Sequence, residues 1–223
     1  MSPADLKRLV RIGEGYHLEF KRRVSSPGRI AREAIALANT WGGAILVGVD
    51  DDGSILGVKD TEEELFDLRR ALADHCEPPI PLEFETVPVT AKREVIVVTV
   101  EESDQKPHAF KESGDTNNGD AFVRVDEHTL VASPEMKNVM RHEKNDDGVK
   151  FEFGESELML LRYLETYGSI GVEQFAKIAG LEREAASAIL VLLTRASVLR
   201  LIPTEKGDQF IMNHDAVEAE GRG

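Results

Sequence analysis

The sequence predicts an α+β fold: a mixed sheet flanked by helices, followed by a small module of three helices and a hairpin. Three observations carry this. Residues 44–49, Ala-Ile-Leu-Val-Gly-Val, are an apolar run without alternation, the pattern of a strand covered on both sides. Residues 82–89 and 94–101 alternate apolar with polar, the pattern of half-buried strands. Around them lie segments whose apolar residues recur at helical spacing. With 223 residues and 41% hydrophobic side chains, the chain suits one medium domain plus a small one.

In chain order, Asp5 to Ile12 sets Leu6, Leu9 and Val10 against Lys7, Arg8 and Arg11, a short amphipathic helix with its basic face outward. Tyr16, Leu18 and Phe20 then alternate with Gly15, His17, Glu19 and Lys21, a half-buried strand with His17, Glu19 and Lys21 on its polar face. Gly13 and Gly15 flank Glu14 and let the backbone turn it toward Glu19. Ser25-Ser26-Pro27 opens a helix with Ile30, Ala31, Ala34, Ile35 and Ala38 on its apolar face and Arg29 and Arg32 opposite; Asn39 reads as its terminal hydrogen-bonder. After the central apolar run, Asp50 to Gly53 makes a tight turn and Ser54 to Val58 returns as the partner strand. Thr61 with Glu64 reads as a capping box for a helix to about His75, stopped by Pro78, Pro79 and Pro81. Residues 82–89 and 94–101 form a hairpin, 113–120 a polar loop and 121–125 one more strand, with Arg124 on its polar side; Ser133-Pro134-Glu135 starts the last helix of a first domain, 1–141.

Charge, Asn and Gly dominate residues 142–150, the expected linker. Helices follow at 155–167, 171–179 and 182–197, then a hairpin of 198–202 and 209–212. That order is the pattern of a winged helix, assigned to 151–214, with 215–223 as a flexible acidic tail. The third helix begins Glu182-Arg183-Glu184, and 155–214 hold six bases against eight acids, which disfavours phosphate binding there. The module therefore serves either DNA binding or partner contact, including homo-oligomer formation.

The formal charge of −14 excludes a generic nucleic-acid coat. Eight bases and three acids nevertheless give residues 1–32 a net +5, leaving −19 for the remainder. A basic segment on an acidic body binds a polyanion locally. No apolar run is long enough to span a membrane, and residues 1–10 are too polar for the apolar part of a secretion signal. The single Cys76 excludes an internal disulfide and a cysteine-built zinc site and suits a reducing compartment, so a cytoplasmic protein is expected. No phosphate-loop motif for ATP is present, and no Ser-His-Asp grouping is recognisable.

From Leu6 to Pro134 the chain resembles the Schlafen and AlbA-like DNA-binding domain family. The resemblance rests on Glu14 with Glu19-Phe20-Lys21, on Ala36-Leu37-Ala38-Asn39-Thr40 with Gly42-Gly43, and on Gly48-Val49-Asp50-Asp51 with Gly53. Lys106-Pro107-His108 and Val123-Arg124-Val125 complete it. It departs at Asp126-Glu127-His128-Thr129, where the family usually has a glycine and small hydroxyl residues.

The resemblance implies two functions. In the first, a nucleic-acid-binding protein of the DNA-binding regulator type grips phosphates through Lys21, Arg22, Arg23, Arg29, Arg32 and Arg124. In the second, Glu14, Glu19 and Asp50 hold Mg2+ or Mn2+ as the catalytic site of a Schlafen-like endoribonuclease, since three converging carboxylates need a hard cation between them. No cofactor is expected outside that second reading. The same acids also fit plain ion pairing with the neighbouring bases, and a third reading is an oligomeric interaction scaffold.

Overall fold

The apolar run expected at the centre is an interior strand, and the first part of the chain is built outward from it. The computed structural model describes residues 1–112, 119–142 and 154–214, and the chain divides into two units, Met1–Val131 and Ala132–Gly223. The first contains, in order, α1 (Pro3–Val10), β1 (Leu18–Lys21), α2 (Pro27–Asn39), β2 (Gly43–Val47), α3 (Thr61–His75), β3 (Cys76–Glu77), β4 (Leu82–Thr90), β5 (Arg93–Val100), β6 (Ala109–Phe110), β7 (Phe122–Val125) and β8 (His128–Val131).

The main sheet has the order β1-β2-β5-β4, with β1 parallel to β2 and the other pairs antiparallel. The period of two decides which core each side chain joins. Ile45 and Val47 of β2, with Ile96, Val98 and Val100 of β5, pack with the apolar face of α2 and with Leu68 and Leu72 of α3. On the opposite side, Leu46, Val95 and Val97 meet Leu6 and Val10 of α1 and Leu18 and Phe20 of β1. Each of these large aliphatic side chains contributes roughly 1.5–3 kcal/mol by leaving water. The outer strand β4 carries Glu83, Glu85 and Pro88, which discourage pairing with a further strand.

Four local expectations change. The predicted strand at 54–58 forms only isolated bridges, Val49 with Ile55 and Val58 with Glu94. Leu56 N and Gly57 N both donate to the single carbonyl of Gly48, at 2.9 and 2.8 Å, so the returning chain pinches shut and β5 takes the place beside β2. The cap of α3 is Asp60, whose side chain accepts from Glu63 N at 3.1 Å. The first strand begins at Leu18, because Gly15 N donates to Leu18 O at 3.1 Å and puts Tyr16 and His17 in a tight turn. The helix at Pro134 groups with the second unit, ahead of the boundary expected at 141.

That second unit comprises α4 (Pro134–His142), α5 (Glu155–Tyr167), β9 (Ser169–Ile170), α6 (Val172–Ala179), α7 (Arg183–Arg195), β10 (Leu199–Ile202) and β11 (Gln209–Met212). Its three strands form an antiparallel sheet in the order β10-β11-β9, over a core that includes Leu160, Leu164, Phe175, Leu190 and Phe210. The buried carboxylate of Glu135 on α4 accepts from Ser187 Oγ at 2.7 Å and pairs with Arg183 at 3.1 Å, which ties α4 to α7. The linker expected at 142–150 and the tail at 215–223 lie outside the described residues except for His142; the loop at 113–120 does so except for Gly119 and Asp120. No described helix is long and apolar enough to cross a membrane.

Candidate nucleic-acid interface

Alternation along β1 sends Leu18 and Phe20 into the α1 core and turns Glu19 and Lys21 to the α2 side. That side is not solvent. Glu19 is only 4% exposed, and a buried carboxylate persists only if cations and donors compensate it. Lys21 Nζ contacts one Glu19 oxygen, and Arg124 lies 2.7 Å from the other.

Arg124 is the hub of this region. Its side chain has 0% exposure, and its N–H groups are aimed at acceptors from three elements. Nε donates to Gly15 O at 3.0 Å, a second group to Leu18 O at 3.1 Å, and a third to Glu33 Oε2 at 2.9 Å, with Thr129 Oγ1 at 3.4 Å. Thr129 also donates to Glu33. One guanidinium therefore joins β7 to β1 and α2 and compensates two buried carboxylates. The phosphate contact expected of Arg124 is corrected accordingly: the polar side of its strand faces α2 and β1, and no donor is left for a ligand.

Above this network opens a cleft of about 630 Å³, bordered by Glu14, Glu19, Lys21, Arg29, Arg32 and Asp51 among others. Burial holds the Lys21 ammonium below its usual range, against the pull of Glu33 and Glu14, and Nζ also donates to Phe20 O at 3.0 Å. Glu14 turns back as the glycines beside it permit, and its Oε1 accepts from Phe20 N at 2.7 Å. Arg22 and Arg29 are each 70% exposed, and Arg23 is exposed. Their ion pairs are loose: Arg22 to Asp50 at 3.7 Å and Arg29 to Glu33 at 4.0 Å. Arg32 is half-buried, its guanidinium 4.4 Å above the Phe110 ring, a cation–π contact that leaves one edge toward the cleft.

Of the expected acidic triad, Glu14 and Glu19 border the cleft together, whereas Asp50 pairs with Arg22 outside its lining and Asp51 takes the nearer place. Among the described residues no group of three or more His, Cys, Asp or Glu is arranged to hold a metal ion. Glu19 is held by Lys21 and Arg124, and Asp50 faces Arg22 at 3.7 Å.

Glu33, Thr129 and the reach of Asn39 escaped the sequence reading. Glu33 had a legible signal, a lone acid beside the apolar face of α2 that burial obliges to find a cation. Asn39 does more than end its helix: its Nδ2 donates to His108 O at 2.8 Å and Phe122 O at 2.9 Å, and its Oδ1 accepts from His108 N at 2.8 Å. Where the chain departs from the expected glycine, Asp126 itself adopts the left-handed φ of 54°, which Asp tolerates better than most residues.

The sequence pattern of Schlafen AlbA_2 domains matches residues 14–133. No curated protein matches the chain. Among solved structures, the N-terminal domain of a RecG-related protein from Nitrosomonas europaea is 26% identical, covers 60% of this chain and 91% of its own, and superposes with a TM-score of 0.42. The DIP2311 protein from Corynebacterium diphtheriae is 16% identical over 89% of this chain, with a TM-score of 0.44, and the present chain spans about a third (34%) of its length.

Proposed function

The chain belongs to the Schlafen AlbA_2 family, and from that membership and the cleft we propose that it binds nucleic acid by its phosphates, through Arg22, Arg23 and Arg29 with Lys21 and Arg32 behind them. The observation that carries this reading is the exposure of Arg22, Arg23 and Arg29 where β1 ends and α2 begins, with only loose ion pairs on an otherwise acidic chain. The exposed Arg22–Asp50 pair at 3.7 Å contributes little to stability, so a phosphate can replace that carboxylate at small cost, and Arg29 reaches the buried Glu33 only at 4.0 Å.

Action as a DNA-binding regulator is the finer form of this proposal. The second unit adds little to it, because Arg183 at the start of α7 is held by Glu135 and Glu173 and Glu182 and Glu184 flank it. Binding is favoured over metal-dependent cleavage by the pairing of Glu19 with Lys21 and Arg124. The test is a salt titration of labelled RNA and DNA binding, with Mn2+ or chelator. Reversing Arg22, Arg23 and Arg29 to Glu should abolish binding at low salt, and each single reversal should lower the salt slope by about one. Unchanged binding by the triple variant would overturn the reading, cutting that needs both metal and Glu19 would replace it with the endoribonuclease, and no binding at all would favour the oligomeric scaffold.

A further inference from the structure

Trp41, the single tryptophan of the chain, is 57% exposed, and Tyr16 is 48% exposed. Side chains of this size and apolarity are ordinarily buried. The fold keeps these two outside by placing each on a tight turn and tying the turns together. Tyr16 and the exposed His17 form the tip between Gly15 and Leu18. His17 Nδ1 donates to the carbonyl of Gly42 at 3.2 Å, and the His17 carbonyl accepts from Ala44 N at 2.9 Å. Gly42 N in turn donates to Leu37 O at 2.9 Å, so the Trp41 turn is fixed to the end of α2. A Cβ on Gly42 would stand 2.7 Å from Glu102 N and 2.8 Å from Val100 O at a φ of +66°, so the turn that carries Trp41 requires glycine at its next position.

Three exposed rings thus occupy two linked turns at the start of β1 and β2, while Arg22 and Arg23 follow the other end of β1. The strand between the two ends, Leu18–Lys21, spans about 10 Å. We propose that Tyr16, His17 and Trp41 form a stacking platform for the unpaired bases of single-stranded nucleic acid, whose backbone continues to the cations at the far end of β1. The proposal rests on the nucleic-acid-binding reading and names the class of nucleic acid. Charge complementarity favours this occupant over a protein: a single strand offers ring faces to the aromatic end and phosphates to the basic end. Aromatic stacking also demands unstacked bases and tolerates any sequence, whereas bases inside a duplex present no free face.

Because Trp41 is the only tryptophan of the 223 residues, its emission reports the site directly in the intact chain. The experiment titrates the protein with a short oligothymidylate, the matching oligouridylate and a duplex of the same length, reading Trp41 fluorescence and ligand anisotropy together. Single strands should quench Trp41 with the same midpoint as the anisotropy, and the duplex should bind more weakly with no quench. Trp41→Ala and Tyr16→Ala should each weaken single-strand binding about tenfold and leave duplex binding within twofold; Trp41→Phe should retain most of the affinity. Single strands bound without quenching, or with unchanged affinity in both alanine variants, would overturn the platform while leaving phosphate binding intact. Absence of binding to all three ligands would overturn the nucleic-acid reading itself and the platform with it.

Discussion

Arg124 compensates the buried carboxylates of Glu19 and Glu33, so its removal leaves two buried negative charges without their cation. Arg124→Met should destabilise the first unit by about 3–5 kcal/mol, read from urea denaturation. Arg124→Lys should recover little, because an ammonium cannot span acceptors on β1, α2 and β8 at once. Adding Glu19→Gln and Glu33→Gln to Arg124→Met should restore part of the loss. His108 provides the pH dependence. It is fully buried between Pro78 O at 2.7 Å and Ser103 Oγ at 2.6 Å, and burial holds its imidazole below the usual range, against the hydrogen bond to Pro78. An unfolded imidazole titrates near ~6.5. The lowered native value means the unfolded chain binds the proton first, so this contribution is complete above about pH 6.5 and is lost as the pH falls toward the native value. Denaturation at about pH 7.5 and 5.5 should give a smaller difference for His108→Gln than for the parent chain.

At the scale of the element, α2 is the part on which the cleft depends. Its apolar face packs on β2 and β5, its first turn presents Arg29, its middle supplies Glu33, and its last residue, Asn39, holds the segments around His108 and Phe122. Asn39→Ala removes three buried hydrogen bonds and leaves their backbone partners unsatisfied. We expect a loss of about 2–4 kcal/mol and faster amide exchange around His108 and Phe122 ahead of global unfolding. In β1 the alternation was legible and its environment was not: Leu18 and Phe20 face a core as expected, but the polar face meets α2, since a parallel pairing with β2 puts it under the same helix that covers Ile45 and Val47. Cys76, on β3 after α3, is buried and its thiol is pushed up to about 12 by burial alone. It should resist thiol reagents in the native state and react on unfolding.

For the whole molecule, charge is divided by position. Of the bases in residues 1–32, Arg22, Arg23 and Arg29 lie exposed where β1 ends and α2 begins and Lys7, Arg8 and Arg11 lie exposed on or just after α1, whereas Arg183 of the second unit is held at 2.8 Å by Glu173 and 3.1 Å by Glu135. Arg183→Ala should therefore lower the stability of the second unit by about 1–3 kcal/mol, seen as an earlier thermal transition, and leave nucleic-acid affinity within twofold in the titration that tests Arg22, Arg23 and Arg29.

The sequence by itself determined the order and type of most elements, the interior run of β2, the hairpin of β4 and β5, the three helices after Gly154, and the location of the basic segment. These are local properties, written in periodicity, turn residues and charge. Only the tertiary structure decided that Arg124 is buried, that Glu19 is paired to two cations, that Asp50 lies outside the cleft lined by Glu14 and Glu19, and that the turns carrying Tyr16 and Trp41 are joined through His17 and Gly42. Alternation states that neighbouring side chains point to opposite sides; what covers each side depends on contacts between residues distant in the chain.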